Sequence, residues 1–138
     1  MITTRTVRLE DYEFINKWWK EWGEPTPPRL VDLPNDGLGG VIVEKNGKPI
    51  CVNYIYLTNS SMAYLANAVS NPNYKYKDRF EIIKILLEEC ERRVVALGYS
   101  ILWMYTVDKG VMKRCKESGF HIVKEKQNLI TKIYGKSR

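Results

Sequence analysis

The sequence lacks most of the features that would place it quickly. No apolar run approaches the ~20 residues that a membrane-spanning helix needs, so no association with a membrane is expected. The opening Met1-Ile2-Thr3-Thr4-Arg5 has no apolar core and soon meets Glu10 and Asp11, so no signal peptide is expected. Cys51, Cys90 and Cys115 are far apart and odd in number, which fits neither a disulfide framework nor zinc or redox spacing. The single histidine, His121, has no ligating partner near it in sequence, so no metal centre is expected. Internal repeats and low-complexity tracts are also missing. These absences together point to a soluble protein of the reducing cytoplasm.

What is present is apolar residue and positive charge. A length of 138 residues suits one domain, 1–138, and 44% apolar residues exclude a disordered polyelectrolyte. The formal charge of +6 is unevenly placed. Residues 99–138 carry nine Lys and Arg against three Asp and Glu, a net +6, while residues 1–98 balance. A basic C-terminal region could meet nucleic acid or an acidic protein, although scattered lysines are most simply a solvated surface.

Periodicity orders the elements. Alternation over Thr3 to Leu9 reads as a strand, and Tyr12, Ile15, Trp19 and Trp22 share one helical face that Gly23 ends. A Pro-rich passage, Pro25-Thr26-Pro27-Pro28 to Gly37, is loop with room for a short helix. Gly40 to Val43 and Ile50 to Leu57 flank Asn46-Gly47, the signal of a type I′ hairpin. Met62 to Val69 reads as a further strand, stopped by Ser70-Asn71-Pro72-Asn73. Ile82, Ile83, Leu86, Leu87, Cys90, Val94 and Leu97 hold one face of a long helix closed by Gly98. Tyr99 to Thr106 is a strand whose run Ile101-Leu102-Trp103-Met104 is too continuous for an exposed edge. A short helix follows from about Lys109 to Glu117, then two strands near His121 to Lys124 and Leu129 to Tyr134. The fold expected is α+β, a mixed, mostly antiparallel sheet of about 6–7 strands flanked by 3–4 helices.

This order resembles the GNAT superfamily of N-acetyltransferases over nearly the whole chain. Its local marks are Arg8-x-x-Asp11, Ala68-Val69 ending the fourth strand, Pro72-x-Tyr74 and Leu86-Leu87. Ala96-Leu97-Gly98 and Glu117-Ser118-Gly119-Phe120 add to them. The resemblance implies a GNAT-like sheet and acyl transfer, most simply acetyl, from acetyl-CoA to an amine, small or protein-borne. It places the donor for the oxyanion at the backbone of Ala68 and Val69. The family's loop Arg/Gln-x-x-Gly-x-Gly/Ala, whose amides cradle the coenzyme pyrophosphate, falls on Lys75, Tyr76, Lys77, Asp78, Arg79 and Phe80. Asp78 and Phe80 replace both small residues, so this loop is degenerate. Asp78-x-x-Glu81 reads as a capping box that would occupy the amides a phosphate needs, while Lys75, Lys77 and Arg79 supply cations in their place.

The family's proton-donating Tyr, four residues before the Gly of Gly-Phe, is here Cys115; a small apolar residue on a buried helix face is its plainer reading. Tyr105, on the fifth strand, is the substitute acid, against a plain core aromatic, and Asp108 stands where an Asn often caps the following helix. Glu44 is a distant candidate base, since the fourth strand carries no carboxylate. Trp18, Trp19 and Trp22 either border an acceptor pocket or pack in the core.

Two rival readings stand beside the enzyme. One is an inactive GNAT-fold binding or inhibitory protein that works through its basic surface. The other is a nucleic-acid-modifying acyltransferase, since Asn73 to Phe80 interleaves aromatics with cations as single-strand binders do. A homodimer and a phage-like origin complete the expectations.

Overall fold

Asn46 and Gly47 both adopt positive φ, 52° and 80°, and the tight turn they make sets the register of the central hairpin. The computed structural model describes residues 1–106, 109–121, 130–132 and 134. In it β2 (Gly40–Lys45) and β3 (Lys48–Leu57) pair across that turn. β1 (Ile2–Thr6) lies antiparallel outside β2, and β4 (Met62–Ser70) antiparallel outside β3. β5 (Ile101–Met104) joins β4 in parallel, giving five strands in the order β1-β2-β3-β4-β5. The connection from β4 to β5 must cross over the sheet, and α2 (Arg79–Ala96) provides that crossing.

Alternate strand residues point to opposite faces, so each side of the sheet needs its own cover. One face, with Val41, Val43, Cys51, Ile55, Ala63 and Leu65, packs under Ile82, Leu86, Cys90 and Val94 of α2. The other, with Ile42, Val52, Tyr54 and Val69, packs under Ile15, Trp18 and Trp19 of α1 (Tyr12–Glu21). Leu33 seals this second core from the Pro-rich passage, which folds as two short 3-10 turns, Leu30–Asp32 and Pro34–Gly37. α3 (Lys109–Glu117) follows β5 and adds Cys115 to the α2-side core.

Entry into α1 is locked by charge. The Arg5 guanidinium grips Asp11 with two bonds of 2.7 and 2.9 Å, and the Arg8 amide donates to the same carboxylate at 2.7 Å. Burial would raise the Asp11 pKa, but the bonds from Arg5 and Arg8 hold it below the ordinary carboxylate range.

The α+β architecture and mostly antiparallel sheet are as the sequence implied. Of the two expected last strands, near 121–124 and 129–134, residues 122–129 and 133 lie outside the described residues, as does Asp108. Residues 121, 130–132 and 134 are in no strand, so the described sheet has five strands where 6–7 were expected. The fifth strand needs a correction. It alternates: Leu102 and Met104 pack against the α2-side core, whereas Ile101 and Trp103 are each 43% exposed. Trp103 stands edge to face with Tyr64, with ring centroids 5.4 Å apart. An apolar run of four reads alike for a strand buried on both faces and for one covered on a single face. No helix among the described residues is long and apolar enough to cross a membrane.

Candidate functional site

β4 and β5 pair only from Met62–Ile101 to Leu65–Met104. Beyond that point β4 continues to Ser70 with β3 on one side and no β5 partner on the other. Five residues, Ala66 to Ser70, therefore turn one backbone edge toward a gap that no strand among the described residues fills. Within them lies a bulge. Tyr54 pairs with Ala66 and Val52 with Val69, so Asn53 alone opposes both Asn67 and Ala68. Asn67 takes the left-handed conformation, φ 55°, which redirects the amides that follow it. Ala68 and Val69, assigned to oxyanion stabilisation by the resemblance, thus sit on the distorted stretch of strand beside the gap. Asn is among the few side chains that adopt this conformation readily and fits strands poorly, so Ala66-Asn67-Ala68 carried a signal of a bulge that the strand reading passed over.

The start of α2 overturns the capping-box reading. Asp78 occupies the N-cap position, yet its side chain makes no capping bond to the helix. Its carboxylate turns instead to Lys45 Nζ at 2.5 Å and to the Tyr74 hydroxyl at 2.6 Å. Those two bonds, Lys45 first, lower its pKa. Lys45 ends β2 at the hairpin turn, and 33 residues separate it from Asp78. The first-turn amides are therefore not consumed by Asp78, and the negative charge that seemed to oppose a phosphate is matched by a cation from the sheet. Lys75 and Lys77 are exposed in the loop. Tyr76 is 70% exposed and tilts against Tyr74 with centroids 4.9 Å apart.

Phe80 has a specific environment. The Arg79 guanidinium lies 5.0 Å from its ring centroid and that of Arg114, from α3, 4.5 Å. The aromatic that replaces a small residue gathers two cations at the start of α2. Arg114 also pairs with Glu117 at 3.0 Å, and its buried Nε has no partner among the described residues.

Cys115 is 7% exposed, and its Sγ lies 3.4 Å from Met104 Sδ; burial raises its thiol pKa. Tyr105 immediately follows β5, where the strand has left β4, and is 61% exposed. Glu44 is held by Arg5 at 3.2 Å. The tryptophans divide: Trp18 and Trp19 are core, while Trp22 is 56% exposed and donates its indole N–H to the Ser70 carbonyl at 2.8 Å. Trp22 thus borders the end of β4. A second concavity, lined by Val94, Tyr99, Trp103 and Phe120 among others, lies toward the opposite end of β5 and holds none of these groups. Among the described residues, no cluster of His, Cys, Asp and Glu is arranged to hold a metal.

No protein-family profile matches the chain, and no curated protein sequence does. Solved structures do. N-acetylglutamate synthase from Neisseria gonorrhoeae, complexed with coenzyme A and N-acetyl-glutamate, superposes with a TM-score of 0.71 at 17% identity. The match covers 93% of this chain and 30% of that one, so this chain spans about a third of its length. A predicted acetyltransferase with acetyl-CoA from Clostridium acetobutylicum gives 0.62 at 15%, covering 94% and 96%. The ribosomal-protein-S18-alanine N-acetyltransferase of Escherichia coli gives 0.61 at 16%, covering 88% and 78%. The chain has a GNAT-like N-acetyltransferase fold, and its structural neighbours include acetyltransferases solved with coenzyme A or acetyl-CoA.

Proposed function

We propose that the protein is an acyl-CoA-dependent N-acyltransferase, acetyl-CoA being its donor and an amine its acceptor. The observation that carries this reading is the gap beside β4. There, among the described residues, a bulged strand leaves an unpaired edge and the chain runs on from it to a helix start that Asp78 does not cap. The two amides of a coenzyme A arm can pair with such an edge as an added strand would. Its pyrophosphate would lie toward Lys75, Lys77, Arg79 and the first amides of α2, with Arg114 reached across Phe80. Side-chain cations here stand in for the glycine-rich cradle, which is why Asp78 and Phe80 need not abolish binding.

The chemistry asked of the chain is modest. A neutral amine nitrogen attacks the thioester carbonyl carbon, the new C–N bond forms, and the Ala68 or Val69 amide donates to the oxyanion. The C–S bond then breaks, coenzyme A leaves as a thiolate, and the amine proton passes to solvent. Proton return to the thiolate falls to Tyr105, at the open end of β5, in preference to Cys115, whose buried thiol is a weakened acid.

Thermal unfolding in the presence of acetyl-CoA tests the reading. At 100 times its Kd the ligand adds about 2.7 kcal/mol of stability. No stabilisation at millimolar acetyl-CoA would leave the fold as a binding scaffold. Given binding, Tyr105→Phe should slow thiol release by about tenfold while Cys115→Ala leaves its rate unchanged. The reverse result would return the acid to Cys115.

A further inference from the structure

Asn67 is tied down in a way its position on a bulge does not require. Its side-chain amide lies 2.5 Å from the Tyr56 hydroxyl, and that hydroxyl lies 3.0 Å from the backbone carbonyl of Asp32. A carbonyl can only accept, so the one proton of Tyr56 goes to Asp32. Tyr56 must then accept from Asn67, and only Nδ2 can donate. The chain of bonds therefore fixes which way the amide faces and leaves Oδ1 as an acceptor with no donor on it among the described residues. That oxygen belongs to an exposed residue immediately before Ala68, on the unpaired stretch of β4.

We propose that Asn67 Oδ1 accepts an N–H of the incoming amine and aims the nitrogen lone pair at the acyl carbon. The inference rests on the acyltransferase reading and deepens it. An amide cannot remove a proton, so this oxygen orients a nucleophile that arrives neutral; it does not activate a charged one. Tyr56 and the turn at Leu30–Asp32 act behind it as positioning groups, holding the amide so that Oδ1 is the end presented. The side chain facing the acceptor is thus a neutral hydrogen-bond acceptor. That suits a primary or secondary amine with an N–H to give and excludes a tertiary amine.

The plainer role for Asn67 is conformational, a residue able to hold φ near 55°. Glycine holds that conformation without strain, so Asn67→Gly separates the two roles. The probe is acetyl-CoA with hydroxylamine, a small amine that is neutral at pH 7 and needs no tailored pocket, followed by thiol release. Asn67→Gly should lower kcat about tenfold with the KM for acetyl-CoA unchanged, the loss expected for one hydrogen bond made in the transition state. Tyr56→Phe, which frees the amide to rotate, should give a smaller fall in kcat, again at constant KM. A glycine variant with the full rate, or one whose loss lies in KM alone, overturns the inference and leaves the acyltransferase standing. A wild-type chain that neither gains stability from acetyl-CoA nor accelerates thiol release overturns the acyltransferase reading, and this one with it.

Discussion

The two helices that cover the sheet each begin beside an aspartate, and the two aspartates are used in opposite ways. Asp11 is buried, 5% exposed, accepts from the Arg8 amide and is clamped by Arg5. Its carboxylate thus fastens the turn Leu9–Asp11 that leads into α1, although it caps no amide of α1 itself. Asp78 stands at the N-cap of α2 but gives its carboxylate to Lys45 and Tyr74, leaving that helix start uncapped. The difference lies in where the nearest cation comes from. Arg5 is on the neighbouring β1 and draws Asp11 into the body of the fold. Lys45 projects from the hairpin end and draws Asp78 sideways, away from the amides. A carboxylate clamped in the body of the fold serves stability, and one drawn aside leaves its helix start available to an anion.

Removing each carboxylate should break that comparison most visibly. Asp11→Ala strands the Arg8 amide and takes two bonds from the half-buried Arg5 guanidinium, which keeps Glu44. It should therefore cost about 2–3 kcal/mol, the range for bonds to a charged group. Asp78→Ala should move the denaturation midpoint much less, because both partners of its ion pair reach solvent, 35% and 29% exposed. Urea unfolding of the two variants beside the wild type measures this. Equal losses would mean that Asp78, too, holds the fold.

Acid sharpens the same contrast. Asp11 titrates below its ordinary value, and Glu89, bonded to Arg92 and Arg93, is held at about 2. Arg93 in turn reaches Thr6 of β1 at 3.0 Å, tying α2 to the edge of the sheet. For carboxyls depressed in the folded state, the stabilisation is complete above their unfolded pKa, near 4, and is lost as pH falls through the folded value. The thermal midpoint should thus hold from pH 6 to about 4.5 and then drop steadily toward pH 2. Asp11→Asn, already lacking that charge, should start lower and fall less steeply. Asp78→Asn should follow the wild-type curve closely.

Much of this could be read from the sequence, and what could not has a common cause. The hairpin, both long helices and the crossover were legible because Asn46-Gly47, Gly98 and the apolar spacing of Ile82 to Val94 act over a few residues. The proposed site was named from the sequence only as a location, Ala68-Val69 and the loop at 75–80, through the resemblance. Its working parts were not. Asp78 and Glu81 carry the spacing of a capping box, and only a lysine 33 residues away decides that Asp78 does not cap. Likewise Trp18, Trp19 and Trp22 are indistinguishable in sequence. Two of them meet the sheet, and the third finds a carbonyl at the end of β4. The role proposed for Asn67 depends on Tyr56 and Asp32, eleven and thirty-five residues distant. Pairings set by strand register escape any local window.

The smallest expected effect probes the open helix start directly. If Lys75, Lys77, Arg79 and the α2 amides receive the pyrophosphate, then Asp78 is a like charge near it, compensated by Lys45. Asp78→Asn removes that charge and releases Lys45 to face the same phosphates. Both changes favour the anion, but the groups are partly open to solvent, where water and salt weaken the field. Acetyl-CoA affinity should therefore rise by only about twofold at low ionic strength, and the gain should vanish near 0.5 M salt, where screening reaches only ~4 Å. The direction is what matters. If Asp78 instead served to organise the loop for the coenzyme, the same substitution would weaken binding, and added salt would not erase the loss. Titration calorimetry at two salt concentrations separates an aspartate that the site tolerates from one that it uses.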